Sequence, residues 1–248
     1  MMLDTARILD RLDAYLNRND GAAAERHLLY WLSEAVSVKE GRAELLLRNE
    51  LMGLYRKQGK RDLALEQAEV ALELVRSLSL SGEVVDGTTH LNAATVCKAF
   101  GQNERALSLY SHARAIYERE LSPTDSRLGG LYNNMGLALV EAGRFEEANE
   151  VYHRALEIMQ NAENGDLGQA ITYLNMANAA EAALGLEEAQ EQIESCLQEA
   201  ERLLEGHEDA SGYYAFVCEK CASVYGYYGY FVYEGELRER ARRIYEGA

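Results

Sequence analysis

Two cysteines stand at a spacing that could support metal or redox chemistry. Cys218 and Cys221 are separated by two residues, as in zinc-binding and thiol–disulfide motifs. A zinc site needs a second pair of ligands and a redox motif needs a strand–helix–strand setting, and the sequence offers neither. Both cysteines, like Cys97 and Cys196, fall on positions that an internal repeat assigns to the core. We therefore expect four buried thiols that bind no zinc.

The histidines and acidic residues predict no catalytic centre. The histidines show no spacing typical of a metal site, and neither a glycine-rich phosphate loop nor a Gly-x-Ser-x-Gly nucleophile motif occurs. Nothing marks a pair of carboxylates held apart in a dry cleft, as acid–base catalysis requires. We expect a protein that is not an enzyme, with no catalytic residues, no cofactor and no metal site. The five histidines are His27, His90, His112, His153 and His207.

The composition favours an all-α protein. The chain has 248 residues, a single proline and 48% hydrophobic residues, with abundant alanine, leucine, glutamate and arginine. These side chains lose little rotamer freedom in a helix, which favours helix along the whole chain. One proline also leaves little room for the edge and bulge devices that β-rich domains use.

The charge and hydropathy of the chain limit its partners. A net charge of −16 would repel phosphates, so we expect no nucleic acid partner. The acidic excess lies mainly in residues 141–248, and a solvated helix face is its simplest explanation. No segment approaches the roughly 20 apolar residues of a membrane span, and the first residues, MMLDTARILDRLD, are too charged for a signal peptide. We expect a cytoplasmic protein that binds no membrane.

Glycines mark an internal repeat of 42 residues. Gly59, Gly101, Gly143 and Gly185 follow one another at this spacing, and a period of this size is typical of stacked arrays. After Gly185 the unit is one residue shorter. Three further positions keep their character from repeat to repeat. The position before the glycine holds Leu51, Ala93, Met135 and Ala177. The two positions after it hold Ala64, Ala106, Ala148 and Ala189, and then Ala71, Ala113, Ala155 and Cys196.

Each repeat predicts a pair of antiparallel helices. A glycine in the left-handed conformation ends the first helix, and the second helix begins directly after it. Alanines let the two helices approach closely, and no pair can bury its apolar stripe without stacking on a neighbour. Gly229 extends the pattern towards the C-terminus. The sequence predicts one solenoid of six helix pairs over 1–248, with an N-terminal pair in 1–40, four clear repeats in 41–205, and a C-terminal pair with a capping helix in 206–248.

The spacing of small and aromatic residues resembles the tetratricopeptide repeat. The usual repeat has about 34 residues, so a 42-residue period adds about one turn to each helix. The stretch from Ser122 to Met159 is similar to the long repeats of kinesin light chain and its bacterial relatives. The resemblance implies a right-handed α-solenoid in which the first helix of each pair lines a concave inner face. It rests on Tyr132, Met135, Gly136, Leu139, Gly143, Ala148, Tyr152 and Ala155.

The same resemblance places a set of side chains on the inner face. An asparagine recurs in four successive repeats at one of the first two inner positions. Its amide group can hold the backbone of an extended peptide, or it can hydrogen-bond the neighbouring repeat; the sequence leaves both interpretations open. The predicted partner-binding residues are Asn49, Arg56, Lys57, Asn92, Thr95, Lys98, Asn133, Asn134, Asn175 and Tyr227.

Three basic residues of this set predict a charge preference. Arg56 and Lys98 each stand three residues before a repeat glycine, and Lys57 lies beside the first of them. A positive strip of this kind would favour a ligand with acidic residues. Alternatively, Arg56 and Lys98 pair with nearby carboxylates such as Glu50 and contribute little.

These features favour an adaptor that binds an extended peptide or a partner helix in a concave groove. One alternative is a peptide-sensing regulator, as some bacterial tetratricopeptide proteins are, although residues 1–40 do not show the basic helix-turn-helix that those usually carry. The other alternative is a structural protein that self-assembles through its ends. The expected partner is a protein or peptide, including one with acidic residues, and formation of a homo-oligomer remains open.

Overall fold

The computed structural model describes residues 3–18, 20–162, 165–207 and 211–247. These residues form twelve α-helices and no β-strand, which confirms the predicted all-α repeat solenoid. Among them, no helix combines the length and the apolar character needed to cross a membrane. The helices are α1 (Thr5–Leu16), α2 (Gly21–Ser37), α3 (Gly41–Lys57), α4 (Arg61–Ser77), α5 (Val84–Ala99), α6 (Asn103–Glu120), α7 (Ser126–Glu141), α8 (Phe145–Gln160), α9 (Asp166–Leu184), α10 (Gln190–Glu205), α11 (Gly212–Tyr227) and α12 (Phe231–Gly247).

The chain divides into two compact units. The first unit spans Met1–Leu121 and holds α1 to α6, and the second spans Ser122–Ala248 and holds α7 to α12. In the first unit, a continuous core includes the fully buried Leu47 and Leu51. In the second unit, a separate core includes Leu204. The first of these cores draws its buried residues mainly from α1 to α5, and the second draws them mainly from α9 to α12.

Glycine turns join the two helices of the pairs α3–α4, α5–α6 and α7–α8. Gly59, Gly101 and Gly143 have φ angles between 69° and 75°, as predicted, and the next helix begins two residues after each of them. Glycine adopts this conformation without the steric penalty of a Cβ. Gly185 differs, with φ 87° and ψ 161°, and α10 begins only at Gln190, five residues later. The repeat thus departs from its regular geometry at this turn.

Small residues set the close approach of the paired helices. At Gly136 in α7, an added Cβ would lie 2.4 Å from the ring of Tyr152 in α8, and this ring is itself buried. The two helices could not keep their separation with any larger residue there. The predicted alanine positions are all fully buried: Ala64, Ala71, Ala106, Ala113, Ala148 and Ala155.

Gly136→Ala should therefore lower the free energy of unfolding by about 1–3 kcal/mol, because the buried Tyr152 ring must move to admit the new methyl group. Gly130→Ala on the same helix is the matched control, since no atom lies within 4 Å of its added Cβ. The control should leave stability unchanged or raise it by up to about 1 kcal/mol through helix propensity. Urea denaturation followed by circular dichroism measures both. Equal effects of the two substitutions would contradict the close approach.

Candidate functional site

The predicted inner asparagines of the first unit link neighbouring repeats. Asn49 in α3 is only 8% exposed, and its Nδ2 donates to the Leu45 carbonyl at 2.9 Å and to Thr89 Oγ1 in α5 at 3.2 Å. Its Oδ1 accepts a hydrogen bond from Asn92 Nδ2 at 2.8 Å. Both ends of the Asn49 amide are thus used to join α3 to α5.

The same link recurs in the second unit, between α7 and α9. Asn175 Nδ2 donates to Asn133 Oδ1 at 2.7 Å, and Asn133 is 9% exposed. The geometry of these four asparagines therefore fits the interpretation in which the amide bonds the neighbouring repeat. Peptide binding by Asn49 or Asn133 stays a prediction, and little of their surface is accessible for it.

Two further predicted residues hydrogen-bond to their own helices. Asn134 Nδ2 donates to the Gly130 carbonyl at 2.9 Å, and Thr95 Oγ1 donates to the Leu91 carbonyl at 2.9 Å. The Thr95 hydroxyl also lies 3.2 Å from Tyr110 OH, so it helps to join α5 to α6. Both side chains are half-buried, which leaves each of them partly accessible.

The three basic residues lie in the last turns of α3 and α5, where positive charge interacts favourably with the helix dipole. Arg56 and Lys98 are half-buried and Lys57 is exposed. Lys57 shares a small recess with Glu50. Burial raises the pKa of the Glu50 carboxyl and the charge of Asp13 raises it further, whereas Lys57 lowers it. Lys57 therefore favours the ionised form of Glu50.

Tyr227 is an accessible aromatic side chain that ties α11 to α9. Its side chain is 68% exposed, and its hydroxyl donates to Glu181 Oε1 at 2.6 Å. The adjacent Tyr228 donates to Glu181 Oε2 at 2.8 Å. The bond to Glu181 raises the pKa of Tyr227, so the hydroxyl stays protonated at neutral pH. Its hydroxyl is engaged, while its ring remains available to a partner.

A cleft of about 750 Å³ opens in the second unit between α8 and α10. Its size lies within the range of ligand pockets in proteins. Phe145 and Glu146 of α8 form one wall, and Glu191 and Cys196 of α10 form the other. The floor is a mainly apolar stripe of α9 that consists of Tyr173, Met176, Ala179, Ala180, Ala183 and Leu184.

The cleft lies where the repeat departs from its period. Because α10 begins late, it lacks the first turn that the second helix of other pairs places after the glycine. Leu184 and Leu186, on either side of Gly185, are both exposed. The missing residue after Gly185 was visible in the sequence, and it is the one signal that could have located this opening.

Cys196 differs from the other cysteines. Cys97, Cys218 and Cys221 are buried, as expected, but Cys196 is only half-buried and lines the cleft. The expectation of four buried thiols is therefore wrong for Cys196. Burial raises the pKa of the Cys196 thiol to about 11, which keeps it protonated and slow to react at neutral pH.

Comparison with known proteins identifies related sequences and folds. Residues 127–202 match the sequence profile of the Tetratricopeptide repeat family. BtubC (BKLC) from P. vanneervenii is 24% identical, with a TM-score of 0.68 and 82% of each chain covered. A putative kinesin light chain from Podosopora anserina with nearly identical TPR-like repeats is 20% identical, with a TM-score of 0.56, and the alignment covers 81% of this chain and 94% of that one. A comparison with curated proteins gave no match.

A third solved structure covers the whole chain. The Rap protein, complexed with Competence and Sporulation Factor, is 15% identical with a TM-score of 0.66, and the alignment spans 100% of this chain and 66% of that one. At these identities the structural matches define the fold. Together with the profile match they identify a helical solenoid with tetratricopeptide-type repeats, similar to those of kinesin light chain, which confirms the resemblance seen in the sequence.

Asn133→Ala should lower the free energy of unfolding by about 1–3 kcal/mol, because it leaves the donor of Asn175 without its partner in a largely buried setting. Asn134→Ala, at the next position of the same helix, removes only a bond within α7 and should change stability by about 0.5 kcal/mol or less. Thermal and urea denaturation measure both variants. A larger loss of stability for Asn134→Ala than for Asn133→Ala would contradict a structural role for the hydrogen bond between α7 and α9.

Proposed function

We propose that the chain is a non-enzymatic scaffold that binds a segment of another protein in the cleft between α8 and α10. The observation that carries this proposal is the accessible apolar stripe of α9 on the cleft floor. Apolar surface left outside a core marks a place where a partner gains free energy by burial. The proposal thus puts partner binding in the second unit, in a cleft with walls from the second helices α8 and α10, whereas the sequence predicted a groove lined by first helices.

The lining of the cleft suits a partner helix or an extended apolar segment. Ala179, Ala180 and Ala183 have short side chains, so the backbone of a partner can approach α9 closely, as helices do within each pair. Glu146 and Glu191 stand at the walls. Carboxylates there favour basic residues beside the apolar part of the segment and disfavour acidic ones.

The accessible members of the predicted set remain proposed contacts within their own units. In the second unit these are Asn134 and the ring of Tyr227. In the first unit they are Arg56, Lys57, Thr95 and Lys98, and the three basic side chains would favour an acidic segment. The Asn49–Asn92 and Asn133–Asn175 pairs are better explained as links between repeats.

A peptide-responsive regulator is the second candidate. It is supported by the structural alignment with the Rap protein, which covers the whole of this chain. The Rap protein was solved in complex with Competence and Sporulation Factor. The two candidates differ in what binding does. An adaptor keeps its shape, whereas a regulator changes shape on binding, because its ligand must prefer one of two conformations. Small-angle scattering with and without a bound segment distinguishes them.

Ala183→Arg should weaken partner binding by about tenfold or more, equivalent to about 1.4 kcal/mol, because a long charged side chain fills the cleft. Ala182→Arg is the matched control: it is the neighbouring exposed alanine of α9, and it does not line the cleft. The probes are peptides selected from a displayed random library against the full chain, with affinities measured by fluorescence anisotropy.

Both variants must keep the helical circular dichroism of the parent chain, since arginine is a good helix former. Equal affinities of the two variants would place the binding surface elsewhere. Failure to select any peptide would also count against the proposal.

A further inference from the structure

Three potential metal ligands meet in the first unit. Asp86 and His90 stand one turn apart on α5, and His112 projects from α6. Their ligand atoms all lie within 4.8 Å of one another. His90 Nδ1 is 2.6 Å from Asp86 Oδ1, and His112 Nε2 is 3.3 Å from Asp86 Oδ2. The two imidazole rings stack with their centroids 3.9 Å apart.

The carboxylate at the centre of this cluster is buried and incompletely satisfied. Asp86 is 2% exposed, and its Oδ2 accepts a hydrogen bond from the Gly82 backbone N–H at 2.8 Å. Its Oδ1 accepts no hydrogen bond from the residues that the structure describes. His90 Nδ1 is close to this oxygen, but it is aligned with the Asp86 backbone carbonyl, 3.1 Å away. His90 Nδ1 is thus the one donor beside this buried oxygen in the part of the chain that the structure describes, and it is poorly aligned. A bound cation would stabilise the carboxylate more fully.

We propose that Asp86, His90 and His112 bind a divalent transition-metal ion of the zinc type, with a fourth position left open. Two imidazoles and one carboxylate form a donor set that zinc sites commonly use, and three protein ligands are typical of sites with an open position. Bonds of about 2.0 Å to a tetrahedral ion separate its ligand atoms by about 3.3 Å. His112 Nε2 already lies at this separation from Asp86 Oδ2, and His90 Nδ1 must move less than about 1 Å away from Asp86 Oδ1. All three ligand atoms lie within 4.8 Å of one another, so the remaining adjustment is in the side chains.

An ion can reach the cluster from solvent. A cavity of about 390 Å³ adjoins all three residues, and half of the His112 side chain is exposed. Arg76 and Arg119 line the same cavity. Their positive charges oppose a bare cation and favour an anionic fourth ligand, such as hydroxide or a carboxylate.

The test is a calorimetric titration of the full chain with Zn²⁺ alone. We expect one ion per chain. His112→Ala truncates a half-exposed side chain and should weaken binding by about tenfold or more. His112→Glu carries a zinc donor with a reach similar to that of imidazole Nε2 and should retain binding. His153→Ala is the matched control, because it removes an exposed histidine from α8, in the second unit. Far-UV circular dichroism verifies that each variant keeps its helices.

Three results would overturn the proposal. The first is the absence of saturable zinc binding to the parent chain, and the second is equal affinity of the His112→Ala and His153→Ala variants. The third is loss of binding in a Cys218→Ser, Cys221→Ser double variant, which would place the ion at the cysteine pair. The cluster lies in the first unit, so these results are independent of whether the cleft in the second unit binds a peptide.

Discussion

The close approach of the two helices in each pair is the constraint on which the rest of the structure depends. Fully buried alanines line the contacts, and at Gly136 even a methyl group would meet the ring of Tyr152. Tight pairs present a continuous apolar face to the next pair, and stacking buries that face. The asparagine links, Asn49 with Asn92 and Asn133 with Asn175, then connect successive first helices. A buried amide is costly without its partner, so each link also favours one alignment of the stacked helices.

The cleft between α8 and α10 and the cluster around Asp86 both lie where the regular packing of helix pairs is interrupted. At Gly185 the turn is extended and α10 starts late, which leaves the end of α9 uncovered and opens the cleft. At the start of α5, the polar residues Asp86 and Thr89 occupy fully or almost fully buried positions. Thr89 is satisfied by its bonds to Val85 and Asn49, whereas Asp86 keeps an oxygen without a hydrogen bond. Departures from the repeat are therefore the places to look for binding.

The sequence predicted the fold because its signals are local and repeated. Glycines at a fixed period mark the turns, and alanines at fixed offsets mark the contacts between helices. The functional sites depend on finer detail. To predict the cleft, one must know how far after Gly185 the next helix begins. One missing residue in the sequence does not determine that distance. The spacing of four between Asp86 and His90 was visible, but His112 joins them only because α6 packs on α5. The expectation of no metal site rested on spacing along the chain, which does not show that these three side chains lie together.

The accessibility of the cleft is tested most directly by thiol labelling of the folded chain, with the modified cysteines mapped by mass spectrometry. The account expects Cys196 to react faster than the buried Cys97, Cys218 and Cys221. Its rate should rise with pH towards its pKa of about 11, because the thiolate is the reacting form. A peptide bound between α8 and α10 should slow this reaction. Equal protection of all four cysteines, or labelling of Cys196 that a bound peptide does not change, would contradict a binding site in the cleft.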